Sequence, residues 1–293
     1  MKYLTQKESA IQTLPHETCP ETVSGAWDHP VLIEKNNFKN KSLSAFSCNL
    51  AVGCSHGCLF CYVPETSTNK MATALAEKGV ADPDAQWGNY VFLRKWDKAK
   101  FLASLKKADE IPEDKLNADG NRAVMFCTTS DPYQVFKNPD SKVADSLNKT
   151  FKKTRRTALE LIRDKSTLNV RIMTWNPKAK EDFDLFKSFG DRMAFGMSIP
   201  TLNDKLAQVY EPHAPSPSKR METLKAAKDA GISVYVAIAP TYPECGEADI
   251  RATLAAVKEL DPITIFHEPI NVRAGNVDRI KSHAAKLGIE IST

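Results

Sequence analysis

Six apolar, β-rich runs recur along the chain, at 45–52, 123–129, 168–174, 193–199, 232–240 and 262–267, and most are separated by longer stretches of helical period. The clearest such stretch is 141–164, which places Val143, Leu147, Phe151, Ala158 and Leu161 on one face. Stretches 217–230, 248–260 and 276–287 are similar, and Gly231 and Gly288 stand where a helix C-cap belongs. Strand and helix in alternation imply a parallel sheet with helices outside. Six units are too few for a closed eight-stranded barrel. The expected fold is therefore α/β, a partial (β/α)6 barrel over 45–293 whose interior a substrate can reach. Residues 1–44 form an N-terminal extension expected to wrap the barrel. Residues 66–120 form an insertion after the first strand, with a short strand at 90–94 and a helix at 97–107.

No run of about 18 apolar residues appears, so no transmembrane helix is expected. Residues 1–20 lack the apolar core of a secretory signal, and the chain reads as cytoplasmic. The formal net charge of +4 permits a nucleic-acid partner without arguing for one. The basic residues of 149–156 either touch phosphate or form the solvated face of a helix, and the second is the simpler reading.

Seven cysteines, at 19, 48, 54, 58, 61, 127 and 245, make an odd count that argues against a disulfide framework. Three of them crowd into Cys54-Ser-His-Gly-Cys58-Leu-Phe-Cys61. Thiolates are soft ligands suited to iron–sulfur clusters or zinc. Three on one short loop reach three corners of a [4Fe–4S] cube and leave the fourth iron open to an amine and a carboxylate. Structural zinc wants four ligands, commonly in two pairs, and a second pair is missing. His56 lies between the first two cysteines, where ligation strains the loop, and Cys48 lies six residues upstream in the expected strand. Gly53 and Gly57 allow the loop to turn tightly.

In parallel α/β folds the sites lie at the C-terminal ends of the strands. Those ends carry Cys127, Ser130, Asp131, Tyr133 and Gln134, then Trp175 and Asn176, Ser198, Tyr242, and finally His267, Glu268, Asn271 and Arg273. The last four, with Tyr133, Gln134, Trp175 and Tyr242, are the substrate-site candidates. An exposed structural cluster is the alternative for the last strand.

The cysteine spacing, with Phe60 before the last cysteine and Tyr62 after it, resembles the radical SAM superfamily. Thr129-Ser130-Asp131-Pro132-Tyr133-Gln134 is similar to a motif of its spore photoproduct lyase-like branch. So are Glu211-Pro212-His213-Ala214-Pro215 with Arg220, and Gly231-Ile232 with Ala239-Pro240. The resemblance spans about 45–270. It implies that Cys54, Cys58 and Cys61 bind a [4Fe–4S] cluster which, once reduced, cleaves S-adenosylmethionine (SAM) to a 5′-deoxyadenosyl radical that takes a hydrogen from the substrate. That substrate is a nucleobase, alone or in nucleic acid, or a small molecule. Transfer of an aminocarboxypropyl or methyl group from SAM, or non-catalytic nucleic-acid binding through an iron–sulfur cluster, are the alternatives. An electron donor such as flavodoxin or ferredoxin is the implied partner.

For SAM, Ser130 and Asp131 are candidates to hold the ammonium group, with helix capping as the alternative. Ser198 suits the carboxylate or ribose. Glu211 suits either the ribose or an ion pair with Arg220, and Phe60 either adenine or loop packing. Where relatives carry Thr-Lys-Ser on the third strand, this chain has Thr174-Trp175-Asn176, which leaves no lysine there for the SAM carboxylate. The lyase of this branch returns a hydrogen atom from a cysteine one residue nearer its Asp than Cys127 is to Asp131. By strand parity Cys127 faces the packing layer; hydrogen donation is the alternative.

Overall fold

The computed structural model describes residues 22–36, 43–116 and 122–286; Cys19 and Gly288 lie outside them. The extension supplies β1 (Val23–Pro30) and β2 (Ile33–Lys35). They are followed by β3 (Phe46–Cys48), β4 (Ala51–Val52), β5 (Tyr90–Lys95), β6 (Ala123–Phe126), β7 (Asn169–Thr174), β8 (Met193–Ser198), β9 (Val234–Thr241) and β10 (Ile265–Pro269). A seven-stranded sheet runs β10-β9-β8-β7-β6-β3-β2. Its strands are parallel except for β2, which pairs antiparallel with β3. The six parallel strands follow chain order, and β10 and β2 are the two edges, so the barrel is open.

The helices are α1 (Ala72–Ala76), α2 (Lys98–Asp109), α3 (Ser141–Lys165), α4 (Phe183–Lys187), α5 (Asp204–Tyr210), α6 (Pro217–Asp229), α7 (Glu247–Lys258) and α8 (Ala274–Lys286). Their ends follow capping chemistry. The Asp97 and Asp140 carboxylates accept from the backbone N–H groups of Lys100 and Lys142, and Pro217 opens α6. Gly231, at φ +80°, ends α6 as its sequence position suggests.

On β7, Val170, Ile172 and Thr174 are buried on the outer face, while Asn169, Arg171 and Met173 are half-buried on the lumen face. The outer faces share one large core with the helices, including Phe151, Leu159 and Ile162 of α3. Three of the five basic residues at 149–156 are held in ion pairs, and Lys149 and Lys153 are exposed. Lys152 pairs with Glu181, Arg155 with Glu181 and Asp182, and Arg156 with Asp182 and Asp184.

The run 45–52 is two strands. It breaks at Asn49, whose side-chain oxygen accepts from Thr128 and Thr129, and β4 then leaves for a second sheet of order β1-β5-β4. That sheet joins the extension, the insertion and the segment entering the cysteine loop around Trp27, Val52, Trp87, Tyr90 and Phe92.

Candidate functional site

The cysteine loop starts where β4 meets β5. Gly53 has φ +86°, and a Cβ there would lie 2.2 Å from the Tyr90 carbonyl oxygen, so only glycine turns the chain at this point. Gln134 clamps the loop from one side, accepting from Ser55 N at 2.8 Å and donating to the Gly53 carbonyl at 3.3 Å. From the other side Asn276 donates to the Phe60 carbonyl at 2.9 Å, and Arg279 donates to the carbonyls of Leu59 and Cys61 and pairs with Asp84. Buried backbone carbonyls need such partners.

Cys54, Cys58 and Cys61 line one cavity of about 260 Å³, together with Phe60, Cys127, Ser130, Asp131, Trp175 and Ser198. Burial pushes the Cys61 thiol up to about 11 and those of Cys54 and Cys58 higher still. Thiolates at this spot therefore need a cationic partner such as iron. Among the described residues no three His, Cys, Asp or Glu side chains converge on a single metal ion. A four-iron cluster instead takes its thiolates on separate irons. Cys48 is buried in the main core, away from this cavity. Trp87 Nε1, at the cavity wall, is buried without a partner, and Ser130 Oγ is buried beside the Cys127 thiol. Such an orphan is rare, and it fits a site that receives a polar ligand.

Asp131 is the polar hub. Its carboxylate accepts from Thr174 Oγ1 at 2.8 and 2.9 Å, from Trp175 N at 2.8 Å and from Tyr133 N at 2.6 Å. The His56 ring lies 3.6 Å away, and burial holds its pKa low. Asp131 thus caps the turn it begins and also borders the cavity. Ser198 Oγ donates to the Ala239 carbonyl. Both oxygens of Glu211 are engaged, one by Arg220 and the other by the Trp175 indole N–H at 3.1 Å. Of the two roles open to Glu211, the structure shows the ion pair, behind Trp175 and outside the cavity.

Cys127 is packed in the main core, as strand parity predicts, and is also among the residues that line the cavity. β6 ends at Phe126, and Cys127 takes φ +55°. Burial pushes its thiol up to about 12.

The substrate candidates divide. Trp175, Glu268 and Asn271 line the cavity. Tyr133 does not: its hydroxyl donates to Asp182 and its ring lies under Arg155, in the layer behind the sheet. Gln134 is spent on the loop. Tyr242 stacks on Tyr210 with centroids 4.1 Å apart and packs beside Phe60. His267 is exposed and hydrogen-bonds Thr241 at 2.7 Å, because it alternates with the inward Phe266 and Glu268. Arg273 is exposed where α8 begins, with its backbone N–H held by Asn276. Sequence reading missed Trp87, Asn276 and Arg279. They come from the insertion and the last helix, and no motif marks them.

A family model described as the radical SAM superfamily matches residues 48–257. An uncharacterised protein of Acidianus two-tailed virus is 28% identical over 254 residues, covering 85% of this chain and 75% of its own. An uncharacterised protein of Methanocaldococcus jannaschii is 25% identical over 228 residues, covering 77% of this chain and 70% of its own. Among solved structures, a spore photoproduct lyase variant with bound AdoMet and dinucleoside spore photoproduct matches with a TM-score of 0.61 at 15% identity. That match covers 92% of this chain and 68% of the lyase, and at this identity it shows a shared fold.

Proposed function

The chain belongs to the radical SAM superfamily and is a radical SAM enzyme, and on that premise we propose that Cys54, Cys58 and Cys61 hold a [4Fe–4S] cluster and that SAM binds beside it against Ser130, Asp131 and Ser198. The observation that carries this is the convergence of the buried Cys54 and Cys58, the half-buried Cys61 and the Ser130–Asp131 turn on one cavity. When bound, the cluster and SAM supply a carbon radical that abstracts hydrogen. The protein's residues do the rest. Gln134, Asn276 and Arg279 hold the loop. Asp131 places a negative charge where the SAM ammonium group is expected. Trp175, braced by Glu211 and Arg220, helps close the site to water.

Cys127, a residue that lines the same cavity, is the hydrogen-atom donor to a product radical. The substrate is a nucleobase-containing or other small molecule, and a small electron carrier reduces the cluster. The ion pairs that occupy Lys152, Arg155 and Arg156 weigh against α3 as a phosphate-binding face.

Anaerobic reconstitution, reduction and mass spectrometry of the SAM fragments test this reading. 5′-Deoxyadenosine with methionine is expected. Methylthioadenosine or S-adenosylhomocysteine as the product would replace it with aminocarboxypropyl or methyl transfer.

A further inference from the structure

Resting on that reading, we propose that the indole N–H of Trp87 donates a hydrogen bond to a sulfur of the iron–sulfur cluster, a sulfide or a cysteine thiolate, and so eases reduction of the cluster.

Two glycines bring Trp87 to the site. Gly57 stands in the cysteine loop and Gly88 follows Trp87. A Cβ on Gly88 would lie 2.9 Å from the Gly57 Cα, and one on Gly57 would lie 3.1 Å from the Gly88 Cα. The absent side chains let the backbone of the insertion rest directly on the cysteine loop. The indole meets the Tyr90 ring edge-on, with centroids 5.8 Å apart, and the Tyr90 hydroxyl is tied to the Pro83 carbonyl at 3.0 Å. Trp87 shares one apolar cluster with Cys54, with Cys61 packed against it, and lines the cavity together with all three cysteines.

The indole lacks an acceptor. Its Nε1 is buried and has no hydrogen-bond partner among the described residues. An indole N–H is a donor only, and leaving one unmatched in the interior costs about 1–3 kcal/mol. Among the described residues of its cluster, the Tyr90 hydroxyl is the only side-chain oxygen, and it is turned to Pro83. The other side-chain acceptors beside it are the sulfurs of Cys54 and Cys61. Backbone N–H groups of His56 and Asp131 already face the first, and that of Val63 the second. Trp87 adds a side-chain donor of the same kind. The SAM carboxylate is a more distant choice: Ser130, Asp131 and Ser198 stand at strand ends of the main sheet, whereas Trp87 packs in the core of the second. Reduction adds negative charge that the sulfurs share, so a hydrogen bond to them strengthens and the potential rises.

Pulsed electron paramagnetic resonance of the reduced, SAM-free protein, grown with tryptophan carrying a heavy nitrogen isotope in the indole, tests the contact. A coupling from that nitrogen is expected in the wild type and should vanish in Trp87→Phe. A redox titration of the same variant should find the equilibrium shifted about tenfold toward the oxidised cluster, about 59 mV for one electron. Iron content and SAM affinity should stay as they are. No indole coupling in the wild type, or an unchanged potential in Trp87→Phe, would overturn the proposal. Weaker SAM binding at an unchanged potential would assign the N–H to SAM and overturn it too. If Trp87→Phe takes up no iron, Trp27→Phe, Trp96→Phe and Trp175→Phe decide: a coupling kept in all three supports Trp87, and its loss in one assigns it there instead. A wild-type cluster without the coupling sinks this inference alone. Zinc in place of a cluster sinks the functional reading and this inference with it.

Discussion

Thr174 and Asp131 are joined twice: the Thr174 hydroxyl oxygen lies 2.8 Å from one carboxylate oxygen of Asp131 and 2.9 Å from the other. One proton serves both contacts, so the hydroxyl sits symmetrically under a carboxylate that also accepts from Tyr133 N and Trp175 N. The bond ties the end of β7 to the turn after β6.

Asp131→Ala should leave the iron content intact and weaken SAM binding about ten- to a hundredfold, since a hydrogen bond to a charged group contributes about 1.5–3 kcal/mol. The same change strands Thr174 Oγ1 and two backbone N–H groups, so a lower thermal midpoint should accompany it. Equilibrium dialysis of SAM against the loaded protein checks the first effect and calorimetry the second. Unchanged SAM affinity with a lowered midpoint would leave Asp131 a capping residue only.

Glu211 and Arg220 form an ion pair in which both side chains are fully buried. Arg220→Met leaves an uncompensated carboxylate and should destabilise the fold by about 3–5 kcal/mol. Urea unfolding of the iron-free protein measures it. Arg220→Lys should recover only part of the loss, because lysine cannot also hold the carbonyls of Pro215 and Ser198 as the guanidinium does. A shift below about 1 kcal/mol for Arg220→Met would refute the account of this pair.

Asn276→Ala and Arg279→Met remove the bonds from α8 to the carbonyls of Leu59, Phe60 and Cys61. The loop should still take up iron but lose it faster, seen as quicker bleaching of the brown absorbance under a chelator. Bleaching at the wild-type rate would show that the loop does not depend on α8.

Cys127→Ala should keep iron and substrate-free SAM cleavage, because the thiol is no part of the three-cysteine loop. With the true substrate it should stop net turnover after hydrogen abstraction. Loss of iron in this variant would instead make Cys127 a cluster ligand.

Much of the barrel was legible because parallel strands and amphipathic helices leave opposite periodicities. The helix expected at 141–164 appears as α3, Ser141–Lys165, for that reason. The run 45–52 was misread because apolar content persists through Asn49 and Leu50, while the break depends on Thr128 and Thr129, far away in sequence. In the site, the three cysteines are visible from spacing alone. The direction of Tyr133 was not, because it lies in the turn after β6, and that of His267 was not, because the strand expected to end there runs on to Pro269. Arg279 and Asn276 reach the loop from more than 200 positions away, and only tertiary packing brings them there.

The central claim is that three thiols hold a four-iron cluster with one iron left for SAM. Anaerobic iron and sulfide analysis, with electron paramagnetic resonance of the reduced protein before and after SAM is added, tests it most directly. The expected result is about four irons per chain, a reduced-cluster signal that changes shape with SAM, and loss of both in Cys54→Ala, Cys58→Ala or Cys61→Ala. Stoichiometric zinc without iron uptake, or a cluster signal indifferent to SAM, would contradict it.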